Sequence, residues 1–471
     1  MQTQIASSII HKAAGRFRAE SRGLLAGMGV AVIGLSLALV EAQAATPSYQ
    51  FKALAYIGTP IPGGGVFTND FEPDTLNDFG VLAFTAEPVQ PGSEGIFVAA
   101  PGRPIQQIMR FGQSAPGTGG RVFSNGEMGN LGLNLRGDVA FSFFLDPVAN
   151  TWDSGTFYWS HTTHTLTPVL VPGTPAPGGG TFLGGNFFAT LNNFGLIGFS
   201  GFINTPSGPQ SGAYVRRLNG PIQKIAAPGD PAPDGGTFGY AMAPFLNDYG
   251  DAVFDGHVAG SSVADQYYLK LTGGTISPIP LPAGVVGLGN VAINDRREVM
   301  FGGAVVPYTV QLGIGSIYLY RGGTTKTLAS VGGPAPGGRT FSCITGANLS
   351  GQSSLNNSGD VAFEAAATNA TGQLDEAIYL YSNASRTLSR IAGTGTVIPG
   401  VGTIASLEQS GTLIFGAPPP PSGIPVCNAA LNDWGQISFA ASVTVPDGSV
   451  TKGALLLATP EDEDDQNQDE N

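Results

Sequence analysis

Apolar and polar residues alternate in short runs along this chain, and turns rich in glycine, proline and asparagine separate the runs. Alternation with a period of two is typical of β-strands that bury one face. No segment keeps the 3.6-residue apolar period of an amphipathic helix. The pattern therefore predicts an all-β fold with almost no helix.

Two short patterns recur in step along the sequence. One is a glycine-rich loop that ends on an aromatic or aliphatic residue, as at 173–182, and the other is an Asn turn that leads into a strand, as at 191–199. Successive copies of the turn are separated by 57, 58, 55, 47, 62 and 76 residues, a mean period of about 59. The Asn of the turn occurs at positions 77, 134, 192, 247, 294, 356 and 432.

Each period also holds a third strand that opens on a small residue, as at Gly95, and an outer strand, as at 105–108. Four strands in a unit of roughly 40–60 residues are typical of a β-propeller blade. The outer strand has one copy too few after residue 70, and the missing copy stands at 51–57, before the first loop. We therefore predict a single seven-bladed β-propeller of four-stranded antiparallel blades, closed by the N-terminal strand completing the last blade.

The two ends of the chain depart from the repeat. Residues 1–44 combine basic residues, an apolar run and the small-residue motif Ala42-Gln43-Ala44, as signal peptides do. A retained anchor is the alternative, although the apolar run is short for a spanning helix. The acidic, aromatic-free tail at 460–471 is predicted to be disordered. The predicted domains are thus a signal peptide at 1–44, the propeller at 45–459 and this tail.

The charge of the chain narrows the choice of partner. The formal net charge is −13, and removal of the leader, with four basic and two acidic residues, makes it −15. Nucleic acid is disfavoured as a partner, since binding it requires neutralisation of phosphates. After signal cleavage we expect no membrane span, and we predict a monomer exported to the periplasm or the extracellular space.

The recurring unit resembles a known family. Its fullest forms, at 76–84, 355–363 and 431–439, are similar to bacterial exported tandem-repeat proteins with the pattern NxxGxxAF, and more loosely to extracellular HAF-type repeats. The resemblance covers nearly the whole mature chain. It implies an exported, propeller-like repeat protein, and it carries over no catalytic residue. The unit at Asn294 lacks the Gly of the pattern, which argues against a normal turn there.

Candidate metal ligands are sparse. Asn-Asp pairs, as at 77–78 and 247–248, offer oxygen ligands for calcium, but each turn supplies one carboxylate at most, which favours a role in the turn itself. His161 and His164 have a spacing that can bind zinc, yet a zinc site needs a third ligand. Exposed hairpin histidines are the preferred interpretation, and no cofactor is predicted.

The two cysteines fall in corresponding regions of neighbouring blades. Because export permits oxidation, we predict a disulfide between Cys343 and Cys427; two buried thiols are the alternative. An insertion at 406–430 lengthens a connection of the last blade. Long loops on rigid scaffolds often bind partners, so this insertion is a candidate partner site, with a disordered excursion as the alternative.

Sequence motifs of known enzymes are missing: the chain has no Gly-x-Ser-x-Gly elbow, phosphate loop or His-Glu-x-x-His motif. Regular repeats with few titratable side chains favour a non-enzymatic binding or structural scaffold for a protein or glycan. The alternative is an extracellular polysaccharide lyase or glycoside hydrolase. Its catalytic candidates would be His161, His257, Arg216 and Arg217.

Overall fold

In the part of the chain that the structure describes, the named elements are all β-strands. The computed structural model describes residues 48–88, 95–124, 130–147, 153–261, 266–305, 315–346, 354–407, 429–445, 448 and 450–461. The all-β prediction is confirmed. The predicted signal peptide, most of the 406–430 insertion and residues 462–471 lie outside these ranges. In the described ranges no helix has the length and apolar character needed to cross a membrane.

The strands form seven small antiparallel sheets, arranged as the seven blades of a β-propeller. A single strand, β1 (Tyr49–Tyr56), precedes blade 1. Blades 1 and 2 comprise β2 (Phe67–Leu76), β3 (Leu82–Pro88), β4 (Gly95–Ala99) and β5 (Gln106–Arg110), then β6 (Val122–Phe123), β7 (Gly132–Leu133), β8 (Val139–Asp146), β9 (Ser154–Ser160) and β10 (Thr165–Leu170). Blades 3 and 4 comprise β11 (Gly184–Leu191), β12 (Leu196–Thr205), β13 (Gly208–Arg217) and β14 (Gln223–Ala226), then β15 (Phe238–Leu246), β16 (Ala252–Val258), β17 (Gln266–Lys270) and β18 (Ile276–Pro278).

The remaining blades follow the same order. Blades 5 and 6 comprise β19 (Val285–Ile293), β20 (Val299–Val305), β21 (Ser316–Arg321) and β22 (Thr324–Ser330), then β23 (Pro334–Ala335), β24 (Arg339–Gly346), β25 (Val361–Thr368), β26 (Leu374–Ser382) and β27 (Thr387–Gly393). Blade 7 comprises β28 (Val397–Ile398), β29 (Gly402–Leu407), β30 (Ala430–Leu431), β31 (Ile437–Thr444) and β32 (Val450–Pro460), and β1 is its outermost strand.

The N-terminal strand closes the propeller as predicted. Strand β1 pairs antiparallel with β32, so that Phe51 lies opposite Ala458 and Tyr49 lies opposite Pro460. The first and last described strands are thereby held in one sheet, and β32 is not left as an open edge that could pair with another chain. The predicted seven-bladed architecture is confirmed.

A triad of aromatic rings packs inside most blades. It brings together one ring from the glycine-rich loop, one from the second strand and one from the third strand, which accounts for the order in which these patterns recur. In blade 1, Phe67 follows the glycine-rich loop, Phe84 lies on the second strand and Phe97 on the third; the ring of Phe97 lies 5.2 Å from that of Phe67 and 5.6 Å from that of Phe84. A Cβ at Gly95 would lie 2.8 Å from the Phe97 ring, which is why the third strand opens on a small residue. Equivalent triads occupy blades 2, 3, 4 and 6.

The turn at Asn294 is normal, contrary to the expectation from its missing glycine. Arg297 stands at the glycine position with a φ of 63°, close to the 67° of Gly80 in blade 1. The Arg297 N–H donates to Asn294 O at 3.0 Å, as Gly80 N–H donates to Asn77 O. The turn therefore keeps its shape at the cost of a left-handed conformation in a residue with a Cβ.

An ion pair offsets this cost. Arg297 Nε lies 2.8 Å from Oδ2 of Asp251, a fully buried residue of blade 4. Burial raises the pKa of Asp251, but hydrogen bonds from the Thr272 N–H, Arg297 and Asn247 outweigh it and hold the pKa below its usual value. Arg297 thus joins blades 4 and 5 where the other turns have glycine.

We predict that Arg297→Ala lowers the free energy of unfolding by about 1–3 kcal/mol, because it keeps the strained φ and removes a partner from a buried carboxylate. Arg297→Gly should be less destabilised than Arg297→Ala, since glycine relieves the strain of about 1 kcal/mol. Thermal or denaturant unfolding measures both variants. An equal loss of unfolding free energy in the two variants would show that the left-handed backbone conformation costs no free energy at residue 297.

Candidate functional site

Seven Asn side chains from the repeat form a ring around the propeller axis, which we call the asparagine ring. All seven side chains are buried. Asn192 Nδ2 donates to the backbone oxygen of Asn247 in the next blade at 3.0 Å, and Asn432 Nδ2 donates to Asn77 O across the closure of the propeller. Links of this kind, 2.9–3.3 Å long, join the Asn pairs 77–134, 192–247, 247–294, 294–356, 356–432 and 432–77.

The residue after each Asn forms a second ring, the inner ring, nearer to solvent. Its members are Asp78, Leu135, Asn193, Asp248, Asp295, Asn357 and Asp433. The backbone N–H of one member donates to the side-chain Oδ1 of the next at 2.6–2.9 Å, from Leu135 around the ring to Asp78. Leu135 has no side-chain acceptor, so this second set of links is open between blades 1 and 2.

Four carboxylates stand in the inner ring and repel one another. Burial, followed by repulsion from Asp433 and Asp248, raises the pKa of Asp78. Burial and the same two carboxylates raise the pKa of Asp295. The rings surround a cavity of about 110 Å³. Within the described ranges, no three His, Cys, Asp or Glu side chains lie close enough together to hold a metal ion.

The second residue after each Asn points into solvent and forms the rim of the channel mouth. Four rim residues are aromatic and highly exposed: Phe79 at 72%, Phe194 at 63%, Tyr249 at 65% and Trp434 at 72%. The remaining three positions, also exposed, are occupied by Arg136, Arg296 and Ser358. Nine large hydrophobic side chains are exposed in the described part of the chain, and four of them share this one position of the turn.

His161 and His164 occupy the hairpin between β9 and β10, on the same face as the Asn turns. Their ring centroids are 6.0 Å apart, and each contacts Trp159. The backbone N–H of His161 donates to Asp138 Oδ1 at 3.0 Å, the contact that Thr272 makes with Asp251 in blade 4. The repeat therefore sets the position of His161, and the described residues bring no third ligand to the pair.

The other catalytic candidates do not meet His161 in one site. Arg216 donates to the backbone oxygens of Val169 and Gly220, and Arg217 donates to Phe194 O, so both arginines bind backbone carbonyls. His257 lies near the far end of β16, away from the Asn turn that begins this strand, and stacks on Tyr240 at 5.7 Å.

The predicted disulfide stays a prediction, since Cys427 lies outside the described residues. Cys343 is half-buried and forms no disulfide with any residue that the structure describes. Burial, with the nearby Glu364 and Glu376, raises the pKa of its thiol to about 11. The thiol is therefore protonated at neutral pH and weakly nucleophilic.

Sequence reasoning missed the rim. Phe79, Phe194, Tyr249 and Trp434 each follow an Asn of the repeat by two residues, and that constant offset was the available signal. The constant offset shows that the four side chains occupy equivalent positions of the repeat. Their exposure follows from the conformation of the turn, which points this position away from the sheet.

The chain belongs to a family of unknown function, DUF7453. The family profile matches residues 15–195, 191–274 and 281–463. A comparison with curated proteins gives no match.

Solved propeller enzymes are similar to this chain at low levels. A puromycin hydrolase shares 11% identity at a TM-score of 0.45, with 79% of this chain and 50% of that chain covered. The Trypanosoma rangeli sialidase shares 10% identity at a TM-score of 0.35, with 88% of this chain and 60% of the sialidase chain covered. The Porphyromonas gingivalis dipeptidyl peptidase 4 shares 10% identity at a TM-score of 0.37, with 82% of this chain and 52% of the peptidase chain covered. The chain thus spans about half the length of these proteins, and nothing about activity follows from the likeness.

We predict that Asp78→Asn stabilises the protein at neutral pH and low salt by up to about 1 kcal/mol, the scale of partly exposed charge pairs. Asn keeps the acceptor for the Asp433 N–H, as Asn193 and Asn357 do at equivalent positions. Because the pKa of Asp78 is raised by folding, the wild-type protein loses stability as the pH rises through that pKa. The gain should therefore shrink near about pH 4 and in high salt. A gain independent of pH in thermal unfolding would contradict this electrostatic account.

Proposed function

We propose that this protein is an exported, non-enzymatic binding scaffold that holds a partner protein on the rim of the channel mouth. The observation that carries the proposal is the exposure of four aromatic rings at one equivalent position of the repeat. Exposed aromatic groups framed by polar residues mark interaction surfaces, and Trp, Tyr and Arg dominate the binding energy of protein interfaces.

The scaffold beneath the rim is suited to this role because it is rigid. Each Asn turn is tied to the next by at least one of the two rings of hydrogen bonds, so the rim side chains stand on backbone that binding need not order. Preorganised aromatic anchors lose little conformational entropy on association. Arg136 and Arg296 add cationic groups between the aromatic positions.

A protein suits this surface better than a glycan. Recognition of sugar hydroxyls requires several polar groups that are free to bind them, whereas those of the inner ring are engaged between blades. Asn193 Nδ2 donates to Asp248 Oδ2 at 2.9 Å, and Asn357 Nδ2 donates to Asp433 Oδ2 at 2.8 Å. The rim therefore offers mainly apolar area, which proteins cover with complementary side chains.

The lyase or hydrolase alternative gains no support from the site. His161 and His257 lie toward opposite ends of their blades, and Arg216 and Arg217 are committed to backbone carbonyls. General acid–base catalysis requires its groups within hydrogen-bond reach of one reacting centre.

We predict that Trp434→Ala and Phe194→Ala each weaken the binding of a partner peptide by at least about tenfold, the loss typical of an interface hot spot. Peptides selected from a random 12-residue phage library against the immobilised protein serve as probes, and their dissociation constants are measured by surface plasmon resonance. Tyr56→Ala is the matched control, because Tyr56 is 52% exposed at the end of β1 away from the Asn turns.

A parallel glycan array distinguishes the outcomes. If no peptide is selected to the rim and a glycan binds the wild-type protein but not Trp434→Ala, the partner is a carbohydrate and the protein partner is ruled out. Selected peptides that bind all variants equally would overturn the proposal that the rim is the binding surface.

A further inference from the structure

A second feature, which borders the rim at Phe79 and Arg136, is a cavity of about 410 Å³ between blades 1 and 2. Val81, Val98 and Ala99 of blade 1 and Leu135 of blade 2 give it an apolar wall. It opens on the face of the Asn turns, at the one junction where Leu135 interrupts the inner ring. Cavities of roughly 300–1,000 Å³ are the size that holds small molecules.

The cavity exists because two side chains of this junction are small. Between blades 5 and 6, Glu298 and Arg321 form an ion pair that fills the corresponding space, and a Cβ at Gly359 would lie 2.7 Å from Glu298 Oε2. The pairing registers of the two blades place Val81 and Ala100 at the positions of Glu298 and Arg321. Neither can span the gap, so the space stays open.

Two arginines, Arg103 and Arg136, line the cavity together with His161, and no carboxylate is among its described lining residues. Arg136 Nε is paired with Asp138 at 2.9 Å, which leaves Arg103, an exposed residue at the mouth, as the group best able to meet an incoming charge. His161 packs against Gly137, where a Cβ would lie 3.3 Å from the imidazole Cγ.

We propose that this interblade cavity binds a small organic acid with an apolar body. The carboxylate meets Arg103 at the mouth of the cavity. The apolar body lies against Val81, Val98 and Leu135. The site does not depend on the partner protein proposed for the rim.

The test uses 2-naphthoate as the probe and its carboxamide as the uncharged match, with affinities measured by isothermal titration calorimetry on the purified protein. The acid should bind at least about tenfold more tightly than the amide, the difference expected of a charge-assisted hydrogen bond. Arg103→Gln should weaken the acid by about tenfold and leave the amide unchanged. Arg386→Gln, which changes an exposed arginine in a hairpin of blade 6, is the matched control and should change neither affinity.

Two further variants keep the proposal falsifiable. Ala100→Trp fills the cavity and should abolish binding of both probes, while Val81→Glu copies the blade 5 residue and should repel the acid more than the amide. Thermal unfolding confirms that each variant is folded. Equal affinity of acid and amide for the wild-type protein would overturn the proposal, as would undiminished binding to folded Ala100→Trp.

Discussion

The hydrogen bond from the Asn side chain of one blade to the backbone of the next is the interaction on which the structure depends. Six of the seven Asn side chains make it, while Asn134 donates to Asp138 in its own turn. Within its own turn, Asn77 Oδ1 accepts from the N–H groups of Phe79 and Val81, so one side chain shapes the turn and joins two blades. The Asn amide is short and carries a carbonyl acceptor and two N–H donors on separate atoms, which lets it make both contacts at once. Apolar clusters pack within and between blades, and the ring closes where Asn432 donates to Asn77.

Because the Asn side chain shapes the turn, the neighbouring positions of the turn can carry different residues without changing its backbone. The position after Asn strengthens the contact between blades, and the next one faces solvent. The position after the turn glycine controls how tightly adjacent blades meet: Glu298 fills its junction, whereas Val81 does not. The rim and the interblade cavity therefore arise from substitutions that leave the scaffold unchanged.

Departures from the repeat have different physical meanings. Arg297 breaks the glycine rule yet preserves the turn, because its ion pair with buried Asp251 offsets a strained backbone. Leu135 preserves the turn yet removes an acceptor, which leaves the inner ring open between blades 1 and 2. A sequence pattern marks both positions as exceptions, but only their surroundings show that the first closes a junction and the second leaves one open.

The sequence by itself determined the strand pattern, the seven blades and closure by β1, because each depends on local periodicity and on counting copies. The pairing of strands within a repeat follows from the local periodicity and the number of copies. Tertiary structure decided the site, because residues about 59 apart become neighbours only when the ring closes. Phe79 and Trp434 share a rim for this reason. His161 and His257, by contrast, lie toward opposite ends of their blades, since strand direction and not spacing sets which face a residue reaches.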